Sequence, residues 1–325
     1  MGSANLTRDE TARRAATITV HSYVVELDLA GAADHERPGF ATTTTIEFAA
    51  SAPDTWLDFL GDSVESMTVN SEPAKVDFDG ARIALTGLRE HNTVTVRATG
   101  RYSRSGEGLH RFRDPADGAT YLYTQYEPAD ARRVFACFEQ PDLKAPFMFS
   151  VTAPDGWTVL SNQAAAEQSS RDGTQTVRFA PTAPISTYIT AVVAGPYHSV
   201  ESCWRRDELA VPLRVLCRAS LAAYLDADAI MEVTKQGLDF YADNFAYSYP
   251  FGKYDQVFVP EYNLGAMENP GCVTFTEAYV FRGAATEAQY EARANTILHE
   301  MAHMWFGDLV TMRWWDDLWL KESFA

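Results

Sequence analysis

The stretch that decides the fold of the carboxy-terminal third reads HEMAH at residues 299–303, and Glu322 follows it after eighteen intervening residues. On a helix, His299 and His303 lie one turn apart on one face, so their imidazoles can converge on one metal ion. Glu322, from a second helix, would complete the two-histidine, one-glutamate set of a catalytic zinc site and leave a fourth position for water. Glu300 is placed to accept a proton from that water. The pattern therefore predicts one Zn²⁺ per chain, held by His299, His303 and Glu322, with Glu300 as the general base.

The flanking sequence favours a helix from residue 287 to residue 306. TEAQ at 286–289 has the form of a capping box, with the threonine as N-cap. The range contains no glycine or proline, its apolar residues recur near helical spacing, and Gly307 supplies a stop. A second helix is predicted to begin within residues 315–317. Three aspartates could hydrogen-bond to the ligand imidazoles or serve only as caps and surface groups: Asp308, Asp316 and Asp317.

Further motifs occur in order along the chain. They are YTQYEP (123–128), ARR (131–133), CFEQPD (137–142), NLGAMENPG (263–271), WFGDLVT (305–311) and WWDDLWL (314–320). Together with the metal motif, they strongly resemble the zinc aminopeptidase N (alanyl aminopeptidase) family of gluzincin metallopeptidases. The resemblance covers essentially the whole chain, which aligns with the first part of that family.

An aminopeptidase must recognise a free α-ammonium group one residue from the scissile bond. A buried carboxylate is the natural partner of an ammonium group, because their attraction is strong where water is excluded. The resemblance assigns this role to Glu268 and Glu127. For Glu268 the alternative is a solvated carboxylate at a strand end, and for Glu127 it is an ordinary loop residue before proline.

The resemblance also implies how the rest of the substrate binds. Gln125 and Leu264 would lie near the first side chain of the substrate. The backbone at Gly265 and Ala266 would pair with the substrate main chain as an added strand, and small residues there permit a close approach. The other substrate-binding residues that the resemblance implies in this segment are Met267 and Asn269.

The hydrophobic pattern predicts an α+β multidomain protein. Apolar and polar residues alternate over much of the first two hundred residues, which indicates an antiparallel β-sandwich or saddle-like domain over residues 1–202. Asp-Gly pairs at 79–80, 155–156 and 172–173 indicate hairpin turns. A helix over residues 226–244, strands over 255–260 and 272–275, and the metal helix then predict the amino-terminal, truncated part of a thermolysin-like zinc peptidase domain over residues 203–325.

Composition narrows the classes of partner. The chain has 44 acidic and 27 basic side chains and a formal charge of −17, which argues against nucleic acid and anionic membranes. The same excess also fits a merely solvated surface.

The four cysteines have no metal-binding spacing, so free thiols are expected. Residues 1–16 lack the apolar run of a signal peptide, which predicts a cytoplasmic location. We expect a monomer whose partners are peptides with a free N-terminus.

The proposed third ligand lies three residues before the last residue, Ala325. Relatives in the resembled family continue for hundreds of residues and carry, beyond the distal glutamate, a tyrosine that donates to the oxyanion. The chain is therefore expected to be an amino-terminal fragment that binds zinc weakly and turns over slowly or not at all.

For the intact enzyme, the resemblance implies zinc-dependent removal of N-terminal amino acids from peptides. Three alternatives stay open at this stage. One is a bifunctional relative that opens leukotriene epoxides, although such enzymes typically show Gly-Gly-Met-Glu-Asn where this chain has Ala266. The second is a non-catalytic binding fragment, and the third is a thermolysin-type endopeptidase.

Overall fold

The computed structural model describes residues 5–325. The helices in this range are α1 (Arg8–Thr17), α2 (Ala227–Phe245), α3 (Glu287–His303) and α4 (Trp319–Phe324). The first fourteen strands are β1 (Ile18–Asp28), β2 (Gly39–Ala50), β3 (Thr55–Asp58), β4 (Ser63–Val69), β5 (Glu72–Ala74), β6 (Arg82–Leu85), β7 (His91–Ser103), β8 (Gly108–Arg113), β9 (Thr120–Gln125), β10 (Phe147–Pro154), β11 (Thr158–Ser161), β12 (Ala165–Arg171), β13 (Thr174–Phe179) and β14 (Val192–Gly195). The other five are β15 (Tyr197–Arg206), β16 (Leu209–Arg218), β17 (Tyr254–Val259), β18 (Ala266–Met267) and β19 (Cys272–Thr276).

Twelve strands form one large sheet in the amino-terminal part. Its main path runs β11-β14-β9-β8-β7-β2-β1-β10-β13-β12, β4 pairs with β7 and β5, and β3 and β6 form a separate two-stranded sheet. Most neighbours are antiparallel, but β1 pairs with β10 and β7 with β8 in parallel. The short β7–β8 connection contains Gly106, and β8 begins with Gly108; their φ angles are 84° and 66°, a conformation that glycine adopts without strain. The expectation of a purely antiparallel domain is corrected at these two pairs.

The predicted alternation of apolar residues places the core of this sheet. Along β1, Tyr23, Val25 and Leu27 are buried at 1%, 0% and 1% exposure. Their sequence neighbours are exposed or half-buried. The Tyr23 ring stacks on Phe147 of the parallel partner β10 with centroids 4.4 Å apart. Burial of one face in this way is the main favourable contribution to folding of a sheet.

The second sheet positions the candidate site. Its strand order is β15-β16-β17-β19-β18, which leaves the two-residue β18 at an edge. The change of sheet falls at Pro196, between β14 and β15. The strand that contains Cys203 therefore already belongs to the second sheet, and a domain boundary near residue 203 stays a prediction. The α+β architecture is confirmed.

The predicted helices form close to their expected bounds, and α2 and α3 pack against each other beside the second sheet. The residues predicted to open the second site helix form a 3₁₀ turn, Trp315–Asp317, directly before α4. The Asp172-Gly173 pair does join two paired strands, β12 and β13. Asp155-Gly156 instead joins β10 to β11, which are not paired with each other in the described sheets, so the hairpin prediction there is wrong. Within residues 5–325, no helix is long and apolar enough to cross a membrane.

Helix α1 is absent from the sequence-based prediction. Its buried residues are polar: Thr11 and Arg14. The Arg14 guanidinium donates to Asp58 Oδ2 at 2.8 Å and to Gln140 Oε1 at 2.9 Å. The helix is thus held by charge-assisted hydrogen bonds to the core.

Candidate functional site

Helix α3 carries three of the predicted site residues. Its start is fixed by the expected capping box, in which Thr286 Oγ1 accepts from the Gln289 N–H (3.3 Å) and Gln289 Oε1 accepts from the Thr286 N–H (2.9 Å). Ile297 and Met301 are fully buried. The helix is therefore anchored at one end and along one face, and its orientation determines where the histidines point.

The structure brings the three predicted metal ligands together. His299 Nε2 and His303 Nε2 are 3.1 Å apart. Glu322, on α4, places one oxygen 3.4 Å from His299 Nε2 and the other 3.7 Å from His303 Nε2. The two rings are perpendicular, with centroids 4.6 Å apart. One potential metal-ligand atom from each of these three side chains thus lies near a common point between the two helices.

The protonation states of His303 and Glu322 fit a metal ion such as zinc. His303 Nδ1 lies 3.0 Å from the Phe306 carbonyl oxygen, which can only accept, so Nδ1 carries the ring proton and Nε2 offers a lone pair to the cluster. Burial lowers the pKa of His303, which keeps the ring neutral. The hydrogen bond with His299 lowers the pKa of Glu322 to about 2. A neutral imidazole and a carboxylate are the forms in which these side chains bind zinc, and a carbonyl behind a ligand histidine is a common support.

The three aspartates considered from the sequence do not supply this support. Among the described residues, the imidazole ring of His303 hydrogen-bonds only to Phe306 and His299. Asp308 is buried, and neither of its carboxylate oxygens has a hydrogen-bond partner within residues 5–325. Asp317 forms a long ion pair with Arg8 at 3.8 Å. The backbone, rather than an acidic side chain, orients the ring of His303.

Glu300 lies inside the cluster, and one of its carboxylate oxygens has no partner among residues 5–325. It is 5% exposed, and its Oε2 makes no hydrogen bond within the described part of the chain. The carboxylates of Glu300 and Glu268 and the ring of His303 form a group. One potential ligand atom from each lies within 4.8 Å of the other two. Burial and the negative charge of Glu268 raise the pKa of Glu300 well above its ordinary value. A buried carboxyl group without a partner is costly, and a perturbed pKa of this kind is typical of functional sites.

The two carboxylates predicted to bind the substrate amine also lie together, because a lysine joins them. Glu268 follows β18 and Glu127 follows β9. The Lys321 ammonium donates to Glu268 Oε1, lies 2.7 Å from Glu127 Oε1 and lies 3.0 Å from Glu322 Oε1. Its side chain is 2% exposed. Lys321 therefore links the carboxylate pair to a proposed metal ligand.

Sequence reasoning missed Lys321. The single available signal was a basic residue directly before Glu322, and a lysine on a short helix is normally a surface group. Burial alone would lower the pKa of Lys321, but the charges of Glu268 and Glu127 raise it far more. Burial opposes ionisation of Glu268 as well, yet the Lys321 charge lowers its pKa. Burial and the charge of Glu268 raise the pKa of Glu127 to about 7. One internal cation thus contacts two carboxylates, and the pKa of one of them, Glu127, lies near neutral pH.

The remaining predicted substrate residues lie around the β18 edge. Gln125 is buried at the end of β9, and Leu264 and Ala266 are half-buried. Gly265 is exposed, and its carbonyl accepts from the Thr276 N–H at 2.9 Å. Two others face inward: Met267 is part of the hydrophobic core, and Asn269 Nδ2 donates to Thr274 Oγ1 at 3.3 Å.

A cleft between the two sheets lies away from this cluster. It measures about 450 Å³, and Trp157, Gln175 and Arg214 are among its lining residues. No residue of the histidine cluster lines it. The cluster itself faces an open surface, since the Glu322 side chain is 42% exposed.

Comparison with known proteins identifies related sequences. The Peptidase M1 N-terminal domain matches residues 61–189, and the Peptidase family M1 domain matches residues 229–325. Aminopeptidase N of Streptomyces lividans is 53% identical over 329 aligned positions, which cover 100% of this chain and 38% of that protein. Aminopeptidase 2, mitochondrial, of Saccharomyces cerevisiae is 33% identical over 82% of this chain and 28% of its own length. Aminopeptidase N of Rattus norvegicus is 38% identical over 62% of this chain and 21% of its own length. The chain thus spans between 21% and 38% of the length of these relatives.

Proposed function

The chain belongs to peptidase family M1, and on that premise we propose that it carries the metal centre and the amine-recognition site of a zinc aminopeptidase. Such an enzyme removes amino acids from the N-terminus of peptides. The observation that carries the proposal is the position of the metal cluster beside a second feature, the buried pair of Glu127 and Glu268, with Lys321 in contact with both. A metal cluster alone would suit many hydrolases. Two buried carboxylates that share a single internal cation can accept a second ammonium group, which favours a substrate with a free amine.

The proposed metal ligands are His299, His303 and Glu322. When bound there, zinc supplies a Lewis acid that polarises the scissile carbonyl group and lowers the pKa of a water molecule. Glu300 takes a proton from the attacking water as the water oxygen bonds to the carbonyl carbon. Glu300 then returns that proton to the leaving amine as the C–N bond breaks. Burial and the charge of Glu268 raise the pKa of Glu300, which favours uptake of the proton that the mechanism requires.

The β18 edge is proposed to hold the substrate main chain. β18 pairs only with β19 among the described strands, so its other side is free for an extended peptide. A Cβ atom added to Gly265 would meet no atom of the chain within 4 Å. Internal packing therefore does not require glycine at this position, and the approach of an external backbone is a reason for one. Glu268 lies at the end of this edge, where the first residue of the peptide would be anchored.

The test uses the full-length protein that contains this chain, with L-alanyl and L-leucyl p-nitroanilide as substrates. The N-acetylated twin of each substrate and the zinc chelator 1,10-phenanthroline are run in parallel. We expect cleavage of the free-amine substrates only, and we expect the chelator to abolish it. Equal cleavage of the N-acetylated substrates would favour an endopeptidase instead. No cleavage by a zinc-loaded protein would favour a non-catalytic binding role.

Two variants test the amine site itself. Glu268→Gln keeps the shape of the side chain but removes its charge, so KM for free-amine substrates should rise while bound zinc is retained. Glu291→Gln is the matched control, because Glu291 is exposed on the outer surface of α3. An unchanged KM in Glu268→Gln would contradict the assignment of this carboxylate.

A further inference from the structure

A buried histidine of the amino-terminal sheet binds the loop that leads into the β18 edge. His110, on β8, is fully buried. Its Nδ1 accepts the Gly106 N–H at 3.0 Å, so Nε2 carries the ring proton. Nε2 lies 3.1 Å from Glu261 Oε2 and donates to it. Burial lowers the pKa of His110, and a neutral ring with this tautomer keeps the donor in place.

The backbone of Glu261 is held in an unusual conformation. Its φ is 52°, in the left-handed region that disfavours residues with a side chain. The Tyr123 hydroxyl, on β9, donates to the Glu261 carbonyl oxygen at 3.2 Å. The Tyr123 ring stacks on His110 and meets the ring of Tyr262 edge-on, with centroids 4.9 Å and 5.3 Å apart. A strained residue persists only where its surroundings enforce it, and here the surroundings are β8 and β9.

A second contact joins the same two parts of the chain. Asn263 Nδ2 donates to the Ser105 carbonyl oxygen at 3.3 Å. A Cβ atom on Gly106 would lie 2.8 Å from Asn263 Cγ, so the two loops approach each other as closely as glycine allows. Residues 103–108 and 261–263 therefore pack closely against each other just before β18 begins.

From this geometry we propose that His110 and Glu261 are positioning residues for substrate binding, an inference that rests on the proposed function. The strand β9 ends at Gln125 and leads to Glu127, which is one half of the amine site. The neighbouring strand β8 holds Glu261, which leads through Gly265 to Glu268, the other half. β18 has only two residues and, among the described strands, a single neighbour. So short a strand cannot by itself fix the position of the chain that leads into it. The His110–Glu261 contact therefore sets the distance between Glu127 and Glu268.

The experiment compares kcat and KM of the full-length zinc enzyme for L-leucyl p-nitroanilide. Glu261→Ala and His110→Phe should each raise KM about five- to tenfold, because a hydrogen bond to a charged group is lost. Their kcat and zinc content should stay near wild type, since the metal ligands lie on α3 and α4. Glu261→Gln keeps an acceptor for His110 and should behave close to wild type. Glu208→Ala is the control. Glu208 is exposed in the turn between β15 and β16, at the edge opposite β18 in the second sheet.

A parallel measurement separates this inference from the proposed function. Amide hydrogen exchange over residues 262–268 should be faster in Glu261→Ala and His110→Phe, with unchanged exchange over α3. A wild-type protein that cleaves no substrate would overturn the proposed function, and the exchange result alone would then decide whether the contact holds the loop. Unchanged KM and unchanged exchange in both variants would overturn the positioning role. Equal loss of kcat and zinc would also overturn it, because the effect would then be on the whole fold.

Discussion

Glu139 provides a test of the amino-terminal sheet through the pH dependence of its stability. Its carboxyl group is 1% exposed, and Oε2 accepts from the Arg132 N–H at 2.7 Å. Oε1 accepts from the Thr187 hydroxyl. Burial nevertheless raises the pKa of Glu139 from 4.5 to about 7. The folded protein therefore holds this proton more tightly than the unfolded chain does.

The size and sign of the effect follow from that shift. The difference between about 7 and 4.5 is about 2.5 pKa units, which at about 1.4 kcal/mol per unit corresponds to about 3 kcal/mol. Below pH 4.5 the group is protonated in both states and the stabilisation is complete. The stabilisation is lost as the pH rises toward 7, and above that pH the folded state contains an ionised buried carboxylate.

The assay is urea unfolding followed by tryptophan fluorescence at pH 5 and pH 8. Wild-type protein should lose stability between these pH values, and Glu139→Gln should lose about 2.5 kcal/mol less, since pH 5 lies slightly above the unfolded pKa. Other groups titrate in both proteins, so the difference between the two profiles is the quantity to compare. Glu167→Gln, at an exposed position on β12, is the control. Parallel profiles for wild type and Glu139→Gln would refute the reasoning.

Three further predictions concern the site and its helices. Glu300→Gln should retain zinc, measured by atomic absorption, and lose turnover by at least about a hundredfold, since it removes the general base; substantial remaining activity would contradict that role. Lys321→Met leaves buried carboxylates without their cation and should lower the free energy of unfolding by about 3 kcal/mol or more; unchanged urea stability would show that the ion pairs do not form. Thr286→Ala removes the N-cap of α3 and should cost about 1 kcal/mol in the same assay, with no change in the pH profile of activity; a cost near zero would mean that the cap is not formed in solution.

Local patterns in the sequence predicted much of the fold. The capping box at Thr286 marked the start of α3, and alternation along β1 identified its buried face. These signals work because they depend on neighbours within one turn of a helix or on one face of a strand. The convergence of His299, His303 and Glu322 was also predictable, since helix geometry fixes the first two and the motif spacing suggests the third.

Features that depend on distant partners were not predictable. The buried face of α1 is polar, and its stability comes from Asp58 and Gln140, far along the chain. The inward direction of Lys321 depends on Glu127 and Glu268, which come from two different sheets. Parallel pairing of β1 with β10 likewise leaves no mark in either strand alone. In each case the deciding interaction joins residues that no local window contains.

The length of β18 bears on a hazard common to all exposed sheet edges. Unpaired N–H and C=O groups on a long, flat edge can recruit strands from other molecules and begin aggregation. Here the edge strand is only Ala266–Met267, and the chain on one side of it is fixed in a strongly bent loop at Glu261. An edge this short can offer hydrogen bonds to a peptide whose end is anchored by charge, but it leaves few backbone groups unpaired. The same two-residue strand that would admit a substrate therefore limits the unpaired backbone at this edge of the second sheet.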